Sequence, residues 1–516
     1  MADDKSGVQD VIIIGAGITG MYMLYKLREQ GIAAKVIEAG GDVGGAWYWN
    51  RYPGCRLDSE SYSYCYSFSK ELLDDWDWSE VFTSQPEMLR YYSFVADKFD
   101  LRRDIQFNTR VLKATFDEER ALWTVECDDG SSLVTRFLVS ATGPLSAPQM
   151  PAFEGIESFR GDYWHTANWP RDPNGFGGLP YDFRGKRVGV FGTGSTGVQI
   201  IQETSKTAKE LYVFQRSGNW CAPLQNTPIS KEEMAEIRAR YDEIFATCKS
   251  HDGSFIHNAI DKSALEVSED EREAFLEQKY YEPGFGIWFG LYNDVLTDKR
   301  ANALVTDFVA RKIRQRVKDP VTAEKLIPKD HGFGIRRVPL ETKYYEVYNQ
   351  DNVQLIDLKQ EPVERIAPDG VVTSERLYEL DVIIYATGFD AITGALKRIE
   401  VRGVGGQLLK DKWAKGPQTY IGLQTAGFPN LFILVGPHSG ATFCNIPRCI
   451  EDIVEWTSQF IANVCQKGIG YVEPEIQAER EWTEHVYDVA SGTLFNEADS
   501  WFNGKNYNDP EAVKTF

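Results

Sequence analysis

The strongest constraint on the fold is a glycine loop that occurs twice, each time between a short apolar run and a helical pattern. The first unit reads Val11–Ile14, then Gly15-Ala-Gly17-Ile-Thr-Gly20, then an amphipathic stretch from Met21 to Gln30 that Gly31 stops. A second apolar run, Ala34–Ile37, follows and ends at Glu38. The other unit opens at Arg187 with RVGVF and continues through Gly192-Thr193-Gly194-Ser195-Thr196-Gly197 into a helix. It returns as LYVFQ, ending at Arg216 and Ser217. Both follow the strand–loop–helix–strand order of a dinucleotide-binding βαβ unit, whose strands are buried on both faces and read as continuous apolar runs.

In such a unit the first glycine makes the tight turn, the second lets backbone approach a pyrophosphate, and the third allows close helix packing. The free amides and dipole of the helix N-terminus then face the phosphates. A lone glycine turn is weak evidence, but here each loop has its context and a decisive residue at the end of the next strand. Glu38 stands 23 residues after Gly15, where a carboxylate accepts from a ribose diol. Arg216 stands 24 residues after Gly192, where a guanidinium grips a 2′-phosphate that a carboxylate would repel; a solvated surface arginine is the alternative. One loop ending in Glu and one in Arg fit a flavoenzyme that binds FAD and is reduced by NADPH. The fold class expected is α/β, with two Rossmann-like domains.

The second unit sits inside the first. A proline-rich stretch from Pro144 to Pro151 marks a boundary, and DVIIYATGFD at Asp381–Asp390 echoes LVSATGPL at Leu138–Leu145. These two strand-then-ATG segments are expected to form the crossings between an outer and an inserted domain. The division is residues 1–144 for the first part of the FAD domain and 151–224 for the first part of the NADP domain. A helical subdomain covers 225–330, the NADP domain resumes over 331–380, and the FAD domain resumes over 381–516. Ser230 with Glu233 and Ser268 with Glu271 read as capping boxes in the helical block.

Composition narrows the partners. A net charge of −20 argues against nucleic acid, which requires a concentrated basic surface, and against an anionic membrane surface. No stretch approaches the ~20 apolar residues of a membrane span, and the acidic start MADDKSGVQD lacks a signal-peptide core. The eight cysteines form no CxxC and the six histidines no HExxH. That excludes a disulfide reductase, leaves metal catalysis unsupported, and points to free thiols in a cytoplasmic protein, a monomer or weak homo-oligomer.

Residues 44–58 read GGAWYWNRYPGCRLD, and Tyr62, Tyr64, Tyr66 and Phe68 alternate after them. The alternation reads as a strand packing aromatics into a core. The tryptophan-rich loop, with Gly45, Ala46, Trp47, Trp49, Arg56 and Asp58, is placed to cover a flavin ring, and Tyr64 and Val111 join the expected cofactor contacts. Ahead of the second loop, Phe159-Arg-Gly161-Asp-Tyr-Trp-His165-Thr-Ala-Asn-Trp169-Pro170 matches the FxGxxxHxxxWP pattern at every specified position. With GGxWxxxxYPGxxxD also met in full from Gly44 to Asp58, the chain resembles the type I Baeyer–Villiger monooxygenases over essentially its whole length. It is most similar to those acting on cyclic and terpenoid ketones.

That resemblance implies hydride transfer from NADPH to FAD, addition of dioxygen to give a 4a-peroxyflavin, and attack on a ketone to yield an ester or lactone. It implies that Arg337, in HGFGIRRVPLETKYYE at 331–346, is the arginine that stabilises the negative oxygen, and that Asp58 pairs with it. Arg336 stands where the family usually has a lysine that helps hold the 2′-phosphate. His165 is implied to couple domain motion to NADP, rather than to act as acid or base. Trp501 is implied to reach the nicotinamide side when a C-terminal loop closes; the family's chains usually continue past the position of Phe516. An N- or S-oxygenating flavin monooxygenase, which shares both loops, and a flavin carrier without catalysis are the competing readings. The first lacks the Asp58 pattern; the retained arginines argue against the second.

Overall fold

The computed structural model describes residues 7–439 and 443–504; what the chain's two ends were expected to do lies outside these. The strand Val8–Ile14 is flanked in parallel by Ala34–Ile37 and by the long strand Ser132–Ser140. Ile105–Gln106 extends the parallel sheet beyond Ala34–Ile37, and Leu431–Ile433 extends it beyond Ser132–Ser140. The other end of Ser132–Ser140 pairs antiparallel with Leu122–Cys127, which carries Val111–Asp117 and then Glu400–Arg402. The late strands at 400 and 431 bring the C-terminal third of the chain back into the first sheet. The helix Ile446–Gln466 completes the return by packing on Ile18–Glu29, where Tyr22 donates its hydroxyl to Glu455 at 2.9 Å.

The second sheet has five parallel strands in the order Val353–Asp357, Glu210–Gln215, Arg187–Phe191, Val382–Tyr385, Asp162–His165. In both sheets the strand before the glycine loop lies between the strand that follows the helix and the strand that leads into Ala-Thr-Gly. This is the topology of a doubly wound nucleotide fold, with its crevice at the strand ends. Val382–Tyr385 belongs to the second sheet, so the chain returns to the first between Tyr385 and Glu400, later than the boundary expected after residue 380. The strand stays because its Val-Ile-Ile-Tyr run is buried on both faces. The two crossings run antiparallel beside each other: Gln149 N donates to Gly388 O at 3.0 Å and Thr387 Oγ1 to Gln149 O at 2.6 Å.

The block between 225 and 330 is helical, with Lys231–Ala239, Tyr241–Ser250, Glu269–Tyr280 and Lys299–Arg316 as its main elements. Ser230 and Glu233 cap each other reciprocally. Ser268 accepts from Glu271 N, but the return bond is not made, because Lys262 draws the Glu271 carboxylate into an ion pair.

Two expectations are corrected. Residues 62–68 form turns and no strand: Ser63 N and Tyr64 N donate back to Glu60 O, and the neighbouring Ser61 and Ser63 are fully buried, while Tyr66 is buried and Tyr62, Tyr64 and Phe68 are partly so. The two serine hydroxyls donate to Glu80 O and Glu60 O. Both sets of side chains can face inward only because the backbone turns. Cys444 and Cys449 are joined as a disulfide, so the cysteines are not all free; the turn into the helix at Ile446 brings the two together. Among the described residues no helix is long and apolar enough to cross a membrane, and no group of three or more His, Cys, Asp or Glu is arranged to hold a metal.

Candidate active site

Each glycine loop is pressed against one of the Ala-Thr-Gly segments. Gly15 and Gly192 both have φ +104, and an added Cβ would lie 2.6 Å from Ala141 O in the first case and 2.5 Å from Ala386 O in the second. Only glycine permits both the turn and the approach. Gly20 and Gly197 sit over the carbonyls of Gly15 and Gly192, where a side chain would collide. The helices after the loops begin at Ile18 and Ser195 with Gly17 and Gly194 as N-caps, and no side-chain oxygen takes their first-turn amides. Thr193 faces the other way, donating to Ser217 O at 2.9 Å. Both helix starts therefore present unclaimed N–H groups, the arrangement that holds a diphosphate.

Glu38 is buried, and its two oxygens each accept one backbone bond at 2.6 Å, from Ala16 N and Gly40 N. Burial raises its carboxyl pKa, while the two amides pull the other way. A carboxylate oxygen has two lone pairs, so each retains capacity for a ribose hydroxyl. Thr109 N donates to Glu38 O at 2.9 Å, and Val111 heads the strand just beyond. Gly45 (φ +53) packs so closely on the first loop that a Cβ would lie 2.7 Å from Gly17 Cα. The short helix Ala46–Trp49 follows, and the rings of Trp47 and Tyr64 meet edge to face at 5.9 Å.

The second site opens into a cleft of 530 Å³ lined by Arg216, Ser217, Lys325, Lys329, Asp330 and Lys359, among others. In a chain of net charge −20, the four cations of this cleft outnumber its three carboxylates, Glu324, Asp330 and Asp357, by one, a local positive excess. Arg336 reaches it through Asp330, whose carboxylate its NH2 nitrogen binds at 3.1 Å, and Arg336 Nε is buried without a hydrogen-bond partner. The donors present fit a 2′-phosphorylated dinucleotide.

The segment Gly44–Asp58 spans both units. Gly45 touches the first loop, while Tyr52 donates its hydroxyl at 2.7 Å to Gln199 on the helix after the second. Gln199 Nε2 donates back to Arg56 O at 3.1 Å. At the end of the segment Asp58 meets Arg337 in a bidentate pair, with distances of 2.8 and 3.0 Å. Both side chains are largely buried, and Arg337 lies over the ring of Phe285 at 5.5 Å. The sequence places Asp58 and Arg337 at the site; it holds no signal for Gln199 or Phe285, which arrive from distant helices.

His165 ends the strand Asp162–His165, is buried, and accepts from Ala167 N through Nδ1 at 3.1 Å. Its Nε2 is 3.0 Å from Gly388 O, which makes it the donor there. Burial lowers its pKa to about 4, so the ring is neutral and tied to the crossing segment. Phe159 is buried, and Gly161 lies so close to Asp381 O and to the Phe159 ring that it admits no side chain. Trp169, followed by Pro170, donates to Leu179 O at 3.1 Å. Trp501 packs at the edge of the large core shared by the second sheet and the helical block, with its ring 4.6 Å from that of Phe502.

The flavin-binding monooxygenase-like family model matches residues 8–231. A 2-oxo-Δ3-4,5,5-trimethylcyclopentenylacetyl-CoA monooxygenase of Pseudomonas putida is 53% identical over 498 residues, 96% of this chain and 91% of that protein. A Baeyer–Villiger monooxygenase of Pseudooceanicola batsensis is 42% identical over 500 residues, 96% and 90% of the two chains. The chain belongs to the type I Baeyer–Villiger monooxygenases. The solved structure of OTEMO in complex with FAD and NADP superposes on this family member with a TM-score of 0.96 at 52% identity, covering 99% of this chain and 95% of that one.

Proposed function

We propose that this protein is an NADPH- and FAD-dependent monooxygenase that inserts one oxygen atom of dioxygen beside a ketone carbonyl, giving an ester or lactone. The observation that carries the reading is the Asp58–Arg337 pair, held between two dinucleotide units. The first loop, Glu38 and the Trp47–Tyr64 wall would hold FAD; the second loop, Ser217, Arg216 and Arg336 would hold NADPH. Bound FAD supplies hydride acceptance from NADPH and activation of dioxygen.

The chain's own residues supply position and charge. Arg337 has five N–H donors, of which Asp58 takes two, and the remainder can face a developing negative oxygen. A fixed cation in a site that excludes water stabilises such a charge without reorganising. Asp58 holds the guanidinium plane in one orientation, which is why it belongs to the site although it does not face substrate. His165, neutral and bonded to Gly388, does no proton transfer; it fastens the linker to the crossing so that the two units move together.

The substrate class we assign is a cyclic or otherwise bulky ketone, in keeping with the cyclopentenyl compound named for the Pseudomonas relative. The test is incubation of the yellow protein with NADPH and a panel of cyclic, steroidal and linear ketones, followed by mass spectrometry for one added oxygen. Arg337→Ala should leave flavin reduction largely intact and lower ester formation by about 100-fold or more. Ester yield at the wild-type level from this variant would overturn the mechanism.

A further inference from the structure

Asp58 and Arg337 are supported by more than each other. The stretch Glu282–Phe289, a turn running into a short helix, braces both. Near its C-terminal end, Trp288 donates Nε1–H to Gly334 O at 3.1 Å, three residues before Arg337. In its middle, Phe285 lies under the guanidinium. At its start, Glu282 Oε1 is 3.1 Å from His257 Nδ1, while His257 Nε2 is 3.0 Å from Glu60 Oε1, two residues beyond Asp58. Gly284 lies so close to the Glu60 carboxylate that an added Cβ would strike it. The His257 and Glu60 side chains are only 7% and 3% exposed.

Two carboxylates thus converge on one imidazole and occupy both of its nitrogens. A neutral imidazole donates from one nitrogen; an imidazolium donates from both. Burial lowers the His257 pKa, but its hydrogen bonds to Glu282 and Glu60 outweigh it and take it up to about 9. The bond from His257 takes the Glu282 carboxyl down to about 2, against the opposing effect of burial. Lys279 lies 2.7 Å from the other Glu282 oxygen, Tyr62 and Cys248 feel the Glu60 charge, and the Asp58 that pairs with Arg337 stands two residues before Glu60 along the chain.

We propose that His257 is a positioning residue for oxygenation: by joining Glu60 to Glu282 it holds Phe285 under Arg337 and sets the direction of the guanidinium's remaining donors. The inference rests on the ketone-oxygenating reading. Coupled turnover converts NADPH, a proton, dioxygen and ketone into NADP⁺, water and ester. With Arg337 off its position, NADPH, a proton and dioxygen leave as NADP⁺ and hydrogen peroxide, and the ketone is untouched. Because the folded pKa lies above the ordinary value of about 6.5, the contribution is complete below pH 6.5 and is lost as pH rises through about 9.

The experiment compares wild-type holoenzyme with His257→Gln, which keeps much of the shape but carries no charge. Hydrogen peroxide and ester are measured per NADPH between pH 7 and 10, the flavin reduction rate is measured by stopped flow, and ring-labelled histidines are titrated by NMR. The expected result is a wild-type resonance titrating near pH 9, absent from the variant, and a peroxide fraction that rises through the same pH. At pH 7 the variant should release peroxide at least threefold more than wild type, with flavin reduction within twofold. Equal peroxide fractions, or flavin reduction that falls in step with ester, would overturn the role. If the variant does not fold, wild type decides alone: no histidine titrating above pH 8, or a peroxide fraction flat to pH 10, overturns it. Wild type that makes no ester from any ketone refutes the ketone reading instead.

Discussion

At the scale of single residues, the site depends on charges whose partners are fixed. We assign cofactor choice to Arg216. A charge-assisted bond to phosphate contributes about 1.5–3 kcal/mol, so Arg216→Ala should raise the KM for NADPH about tenfold to a hundredfold and leave that for NADH nearly unchanged. Steady-state kinetics with both nucleotides checks this; equal effects would refute the 2′-phosphate role. His165 makes a prediction of opposite sign to that of His257. Its folded pKa of about 4 lies below the ordinary value, so the protein gives up stability as pH falls from about 6.5 toward 4. Hydrogen-exchange protection factors at the crossings, 144–151 and 386–390, should therefore fall over that range, and His165→Gln should flatten the response.

At the scale of elements, the motif from Gly44 to Asp58 is a strap. One end is fitted to the first glycine loop by a contact that only glycine allows. Gly45→Ala places a methyl group 2.7 Å from Gly17 Cα at a positive φ, a strain of about 1–3 kcal/mol. The expected outcome is protein that folds but purifies with less bound flavin, read from the flavin-to-protein absorbance ratio; full occupancy would count against the strap. The aromatics that follow show how a local pattern can mislead. Tyr62, Tyr64, Tyr66 and Phe68 alternate as a strand would, yet Ser61 and Ser63 beside them are fully buried and bonded to nearby carbonyls, and Ser67 donates to the Glu451 carboxylate. Alternation predicts a strand only when the second face has solvent to meet.

At the scale of the whole molecule, two nucleotide units are joined by two adjacent crossings and by Tyr52–Gln199. Gln199→Ala leaves the buried Tyr52 hydroxyl and Arg56 O without their partner, a cost of about 1–3 kcal/mol. Thermal unfolding should shift down by a few degrees, with a larger loss in NADPH affinity than in FAD affinity; no shift in either would show that the strap does not connect the units.

Both nucleotide folds, the places of Glu38 and Arg216 beside their loops, and the pairing of Asp58 with Arg337 are legible in the sequence. The loops are legible because glycine positions and strand and helix periods are local properties, imposed by backbone sterics over a few residues; Asp58 is legible because it closes a fixed-spacing pattern, and Arg337 because its segment resembles that of a known family. The exact return crossing after Tyr385, the turns at 62–68, the disulfide at 444–449 and the brace from His257 through Phe285 are not. Each of these brings together groups whose meeting depends on packing, and Glu60 and His257 are 197 residues apart. No local period encodes such a distance; it is decided when the helical block closes on the strap and burial forces each charge to find a partner.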